Sequence, residues 1–377
     1  MAKRIRLGTV LGFPIQIDAS WLIVFLWMTW SLGSSYYPQT YPEWSTAGLW
    51  VMAALTSALF FVSVLLHELG HSVVSRHQGV PVKDITLYIF GGVAQISEEP
   101  RSAKNEVFMA LAGPAVSLTL GVVLVIVWLA TQGVAEPVSA MAMYVGLSNL
   151  SLGMFNLIPG FPLDGGRVLR AILWAARDDL MWATRWASRV GQVVSYLFIL
   201  AGIGLAMSGA WGSGLSLVLV GMFLQTAAKS SYAQLTVRTM LADHIVAEAM
   251  SDVCSTVPPQ VTLDMLVEHY IVQGGQRCFA VSGPDGPVGL LTVHHVRDVP
   301  RDKWRDTHAR DVMMPLEDAE SVSPETDLEE AMRHMASDGV NQLPVLRDGK
   351  LVGMLTREDL VTFIRERMRR EREGKVV

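Results

Sequence analysis

Apolar residues in the first 230 positions gather into runs too long for a globular core. Six of them, Ala19–Gly33, Leu49–Val74, Val107–Ala130, Val138–Ile158, Val190–Ala210 and Gly214–Ala228, read as membrane-spanning helices, because crossing a bilayer takes about 20 mostly apolar residues. The intervening segments Ser34–Thr46, Thr131–Pro137 and Trp211–Ser213 hold no Lys or Arg, and all 13 basic residues before position 230 fall on the opposite side. That asymmetry predicts cytoplasmic N- and C-termini. Tyr36, Tyr37, Tyr41 and Trp44 in the outer loop read as interfacial anchors. Between the second and third spans, residues 84–96 alternate about Gly91-Gly92 and predict a β-hairpin. Open strands cannot face lipid, so this hairpin belongs at the interface or against a protein cavity.

After Lys229 the pattern changes to a repeat of roughly 60 residues, typical of tandem structural units. The reading divides the chain into 1–230, a linker 231–246, repeats at 247–300 and 309–366, and a charged tail 367–377 read as a solvated helix end. Each repeat opens on a Met-containing stretch (Glu248-Ala-Met250; Asp311-Val-Met-Met-Pro315), then a helix, then a short strand (Cys278–Val281; Gln342–Val345). A second strand beginning Val-Gly follows (Val288-Gly289; Val352-Gly353), and a closing helix ends the repeat. This plan resembles a tandem pair of cystathionine-β-synthase (CBS) domains. Gly353-Met-Leu-Thr-Arg-Glu-Asp359 is similar to the stretch with which such domains hold an adenine nucleotide. The resemblance implies Thr356 as a hydroxyl donor and Asp359 as a ribose acceptor. In the first repeat His295 stands where the aspartate would be, and dimerisation through the pair is the alternative role.

Composition agrees with the split. Of 377 residues, 51% are hydrophobic and 17% charged, against about 25% charged in soluble proteins, and the mean hydropathy is +0.34. Residues 1–230 carry 13 Lys/Arg and 11 Asp/Glu, the remainder 17 and 24. No basic patch interleaved with aromatics points to nucleic acid. Lys3, Arg4 and Arg6 lead into a polar, Gly-containing stretch, which is not the pattern of a cleavable signal. Cys254 and Cys278 stand outside any CxxC pair and read as ordinary thiols.

The chemistry concentrates in His67-Glu-Leu-Gly-His71, inside the second apolar run. Positions i and i+4 share a helix face, so both imidazoles can reach one metal ion, and Glu68 is placed to take a proton from metal-bound water. Ionisable groups in a membrane helix are costly and mark function. Catalytic zinc usually takes three protein ligands. His77, six residues past His71, points to another face. The acidic residue within the other apolar or Gly/Pro-rich stretches is Asp164, in Asn156-Leu-Ile-Pro-Gly-Phe-Pro-Leu-Asp-Gly-Gly-Arg167, expected on the same side as His67 and His71.

The HExxH in span two together with N-x-x-P-x-x-P-L-D-G-G in span four resembles the site-2 protease family of intramembrane zinc metalloproteases. Ala112-Gly-Pro114 and Gly91-Gly92 are further, weaker matches, and the CBS pair resembles the branch that carries such domains. The resemblance implies a polytopic α-helical membrane protein of six transmembrane helices with an interfacial β-hairpin, plus a soluble α/β tandem CBS domain. It implies one zinc per chain held by His67, His71 and Asp164, with Glu68 as base and Asn156 orienting the scissile amide. The implied substrate is a single-span membrane protein, such as a membrane-bound transcription-factor precursor or anti-sigma factor. The implied setting is a prokaryotic cell membrane, with homo-oligomerisation through the CBS pair. Ser117 departs from the Asn that relatives often carry, which is expected to alter packing rather than chemistry. A CBS-regulated transporter or channel would spread charges along a pore, and an inactive scaffold would not need the ligand set.

Overall fold

The computed structural model describes residues 5–89, 91–96, 100–251, 255–274, 278–284, 286–337 and 339–373. They form two compact units, Met1–Ala233 and Gln234–Val377.

The first unit opens with a hairpin that the sequence reading did not anticipate, β1 (Ile5–Val10) and β2 (Phe13–Ile17). It turns through Leu11 and Gly12, both at positive φ (51° and 87°). The side chain of Asp18 accepts from Ser20 N and starts helix α1 (Ala19–Ser31). A π-helical turn, Leu32–Tyr36, carries the chain into α2 (Tyr37–Thr40). Ser45 caps the long helix α3 (Thr46–His77). Strands β3 (Val82–Tyr88) and β4 (Gly91–Ile96) follow as the expected hairpin, with Phe90 outside the described residues. Next come α4 (Ala103–Thr131), α5 (Glu136–Asn156), α6 (Asp164–Arg177), α7 (Leu180–Met207) and α8 (Trp211–Leu241).

Among the described residues, five helices are long and apolar enough to cross a membrane: α3, α4, α5, α7 and α8. The expected first span is represented by α1, only 13 residues long before the π turn. Helix α6 was not foreseen as a separate element, and residues 231–241, expected as linker, continue α8.

The four strands form one sheet in the order β1-β2-β3-β4, with β2 and β3 parallel (Ile15 opposite Ile85) and the other pairs antiparallel. Strand β2 alternates buried and half-buried positions, as one covered face requires. Phe13, Ile15 and Ile85 pack on Leu69 of α3, flanked by Leu65 and Val73. The sheet therefore grips the turns of α3 that carry the histidines.

In the second unit β5 (Ser255–Val257) precedes α9 (Leu263–Met265), which runs into a π-helical stretch, Leu266–Val272. Then come β6 (Cys278–Gly283), β7 (Gly286–Thr292), α10 (Val293–Arg297), α11 (Ala309–Val312) and β8 (Met314–Pro315). The unit closes with α12 (Leu328–Ser337), β9 (Gln342–Arg347), β10 (Lys350–Thr356) and α13 (Arg357–Glu373), whose end takes in the start of the expected tail; residues 374–377 lie outside the described residues. The two repeats pair alike: Cys278 faces Thr292 and Gln342 faces Thr356 across antiparallel ladders. Each also receives a segment from the other. Met314 pairs with Leu290 of β7, and Ser251 bridges to Met354 of β10. Cys278 is disulfide-bonded, which corrects its reading as an ordinary thiol; Cys254 lies outside the described residues.

Candidate metal centre

Helix α3 places His67 and His71 one turn apart, both buried, with their Nε2 atoms 3.2 Å from each other. Asp164, the first residue of α6, brings its Oδ2 to 3.2 Å from each of these nitrogens. The three residues expected as ligands thus bring one candidate atom each to the same place. Zinc binds nitrogen and oxygen at 2.0–2.2 Å, so neighbouring ligands at tetrahedral angles stand about 3.3 Å apart. The observed triangle has that size.

Hydrogen bonding on the far side of each ring strengthens the fit. His71 Nδ1 lies 2.7 Å from the carbonyl oxygen of Met109. A carbonyl only accepts, so Nδ1 carries the hydrogen and a neutral His71 directs the lone pair of Nε2 at Asp164. A lone pair and a carboxylate oxygen 3.2 Å apart repel unless a proton or a cation lies between them. His67 Nδ1 is 2.9 Å from Ser117 Oγ. Both partners belong to α4, where Pro114 lacks the N–H that would close the turn onto Ala110.

Close approach of α4 depends on Gly113. A Cβ there would stand 2.2 Å from His71 Nε2 and 2.6 Å from His67 Nε2. Glu68, half-buried, meets Gly92 of β4, where a Cβ would lie 2.3 Å from Glu68 Cγ. Asp164 is held through its own helix. Arg170 of α6 donates through Nε to Glu106 Oε1 of α4 at 2.6 Å, both side chains being buried, and its guanidinium lies 5.4 Å from the Phe161 ring centre. This ion pair ties α6 to α4 and so holds Asp164 near the imidazoles.

Asn156 ends α5, and its side-chain amide donates to Leu152 O at 3.0 Å, not to a ligand of the centre. Thr356 and Asp359 meet, but as the cap of α13. Asp359 Oδ2 accepts from Thr356 N (2.8 Å) and Thr356 Oγ1 (2.7 Å), and Asp359 N donates back to Thr356 Oγ1 (3.1 Å). His295 takes the corresponding position in the first repeat, its Nδ1 accepting from Thr292 N at 3.4 Å. Sequence reasoning missed Met109 and the Glu106–Arg170 pair, gave Gly113 no role beyond a weak family match, and assigned Ser117 to packing. Ser117 in fact touches a histidine of the centre.

The buried two-histidine, one-carboxylate cluster could hold a metal ion, with a glutamate next to the first histidine. Residues 55–141 and 129–202 match peptidase family M50, and residues 309–366 match the CBS domain. Rip3 of Mycobacterium tuberculosis is 31% identical over 368 residues, 97% of this chain and 93% of that protein. The zinc metalloprotease MJ0392 of Methanocaldococcus jannaschii is 30% identical over 376 residues, 96% of each. Among solved structures, a site-2 protease from Methanocaldococcus jannaschii is 34% identical, covering 61% of this chain and 95% of that one, with a TM-score of 0.44. The chain belongs to the M50, or site-2 protease, family: it is a membrane zinc metalloprotease that carries a CBS domain.

Proposed function

We propose that this protease cuts single-span membrane proteins within the bilayer, with His67, His71 and Asp164 holding one zinc ion and Glu68 as the base. The observation that carries the reading is the triangle of two Nε2 atoms and one carboxylate oxygen with 3.2 Å edges, one residue from Glu68. When bound, zinc supplies Lewis acidity toward water and the scissile carbonyl. The Glu68 carboxylate accepts the proton of the attacking water and returns it to the leaving amine. Asn156, freed from Leu152 O, orients the amide. A transmembrane helix hides its carbonyls in its own hydrogen bonds, so the substrate unwinds before it reacts. Strand β4 ends the sheet order and adjoins Glu68 through Gly92, which supports capture of the unwound segment as an added strand.

In this reading the α1–α2 segment, continuous from Ala19 to Thr40 through the π turn, is a sixth span, and the β3–β4 hairpin sits at the cytoplasmic interface. The one-sided distribution of basic residues supports cytoplasmic termini. The two repeats act as a CBS pair that joins copies of the chain and takes one adenine nucleotide at Thr356 and Asp359.

Glu68→Gln keeps the size of the side chain but cannot accept the proton. Purified and offered a single-span substrate, the variant should retain zinc while turnover falls at least about 100-fold. Unchanged turnover would remove Glu68 from the reaction.

A further inference from the structure

We infer that Ser117 is a positioning residue for the metal centre, fixing the tautomer and aim of His67. The inference rests on the zinc reading above and concerns a residue outside the ligand set. Ser117 Oγ lies 2.9 Å from His67 Nδ1, with Ser117 fully buried and His67 4% exposed. A neutral imidazole carries one hydrogen. For Nε2 to present its lone pair beside His71 Nε2 and Asp164 Oδ2, that hydrogen must sit on Nδ1, and Ser117 must accept it. In a buried site no water replaces the acceptor, so its loss leaves a desolvated N–H. The ring then relieves the penalty by turning, or by moving its hydrogen to Nε2, where it blocks the ligand position.

The two imidazoles are secured differently. His71 leans on a backbone carbonyl, Met109 O at 2.7 Å, which persists whatever side chain occupies position 109. His67 depends on a side chain, so one half of the centre is set by residue identity at 117. Ser117 lies one turn beyond Gly113, the residue over which both rings close, so α4 presents a bare patch and an acceptor on the same stripe. Outer partners of this kind typically change metal affinity 10–100-fold when removed.

The test measures zinc affinity by chelator competition on the full-length protein in detergent, comparing wild type with Ser117→Ala and Ser117→Thr. Cobalt-substituted samples report ligand geometry through their visible bands. Ser117→Ala should bind zinc about 10–100-fold more weakly and shift the cobalt bands, while Ser117→Thr, which keeps the hydroxyl, should stay within about threefold of wild type. Equal affinity in wild type and Ser117→Ala overturns the inference. So does equal weakening in both variants with unshifted cobalt bands, which marks a packing site only. Should Ser117→Ala fail to accumulate in membranes, Ser117→Cys, similar in size but a weak acceptor, takes its place under the same criteria. A wild type that binds no zinc overturns the metal reading itself, and this inference with it, so the two failures are told apart.

Discussion

Gly113 lies against His71 so closely that a Cβ on the glycine would fall 2.2 Å from the imidazole Nε2. With His71 held by its bond to Met109 O, that space is closed to a methyl group, so the centre favours hydrogen at this position. Gly113→Ala should reach the membrane yet lose zinc at chelator concentrations the wild type withstands, with activity down about 100-fold, the scale of an ångström-sized misplacement. Wild-type zinc content in that variant would mean that α4 yields more readily than its packing suggests.

Gly92 stands in the same relation to the base. A methyl group there meets Glu68 Cγ at 2.3 Å, and its three nearest neighbours are all Glu68 atoms. Gly92→Ala is therefore expected to keep its zinc and lose about 10²-fold in kcat. Zinc loss in step with kcat would place β4 against the metal ligands instead.

The buried pair Glu106–Arg170 should be costly to break from one side. Glu106→Gln leaves the Arg170 charge without its carboxylate, and removing one partner of such a pair typically costs about 3–5 kcal/mol. Exchanging both residues for methionine should recover most of that loss. Thermal unfolding in detergent separates the three variants; a single variant as stable as the wild type would mean that other contacts carry α6.

The first repeat should weaken in acid. Burial, aided by the neighbouring His294, pushes the His295 imidazole below its ordinary range. The unfolded chain then binds the proton more readily than the folded one. The contribution is complete above the ordinary histidine value, near 6.5, and is lost as pH falls from there through the folded value. Protonation also removes the lone pair that accepts from Thr292 N. Hydrogen exchange on the full chain, corrected for intrinsic rates, should show β6, β7 and α10 opening more often at about pH 5.5 than at neutral pH, and His295→Asp should erase the difference. Equal protection at both values would leave His295 without a part in it.

Local rules made much of the centre legible. HExxH brings its two histidines together because i and i+4 share a helix face, and Asp164 stood out as a carboxylate in an apolar, Gly/Pro-rich stretch. The roles of Ser117, Gly113 and Glu106–Arg170 stayed hidden because they exist only where α4 meets α3 and α6, between residues 42 to 64 positions apart. The β1–β2 hairpin was missed for another reason. Its turn uses Leu11 at positive φ where Asn is the usual signal before Gly, so the apolar residue concealed the break. Helix α6 follows the Pro/Gly run without a pause and is too polar and short to read as a span, so it fell between the spans ending at Ile158 and starting at Val190.

In the second unit Met250 and Met313 hold equivalent places. Space for a Cβ on Gly353 is closed by Met250 Sδ at 2.9 Å and Ser251 O at 2.9 Å, and on Gly289 by Met313 Sδ at 2.5 Å and Met314 O at 2.9 Å. Each repeat thus lends its opening residues to the other's ladder, as two hands clasp. A chain stopped before Ala309 would not merely lack a second repeat. It would leave the outer edge of β7 bare and send Met250 to a strand that no longer exists. The halves are accordingly expected to melt in one transition, and damage to either should be felt in both.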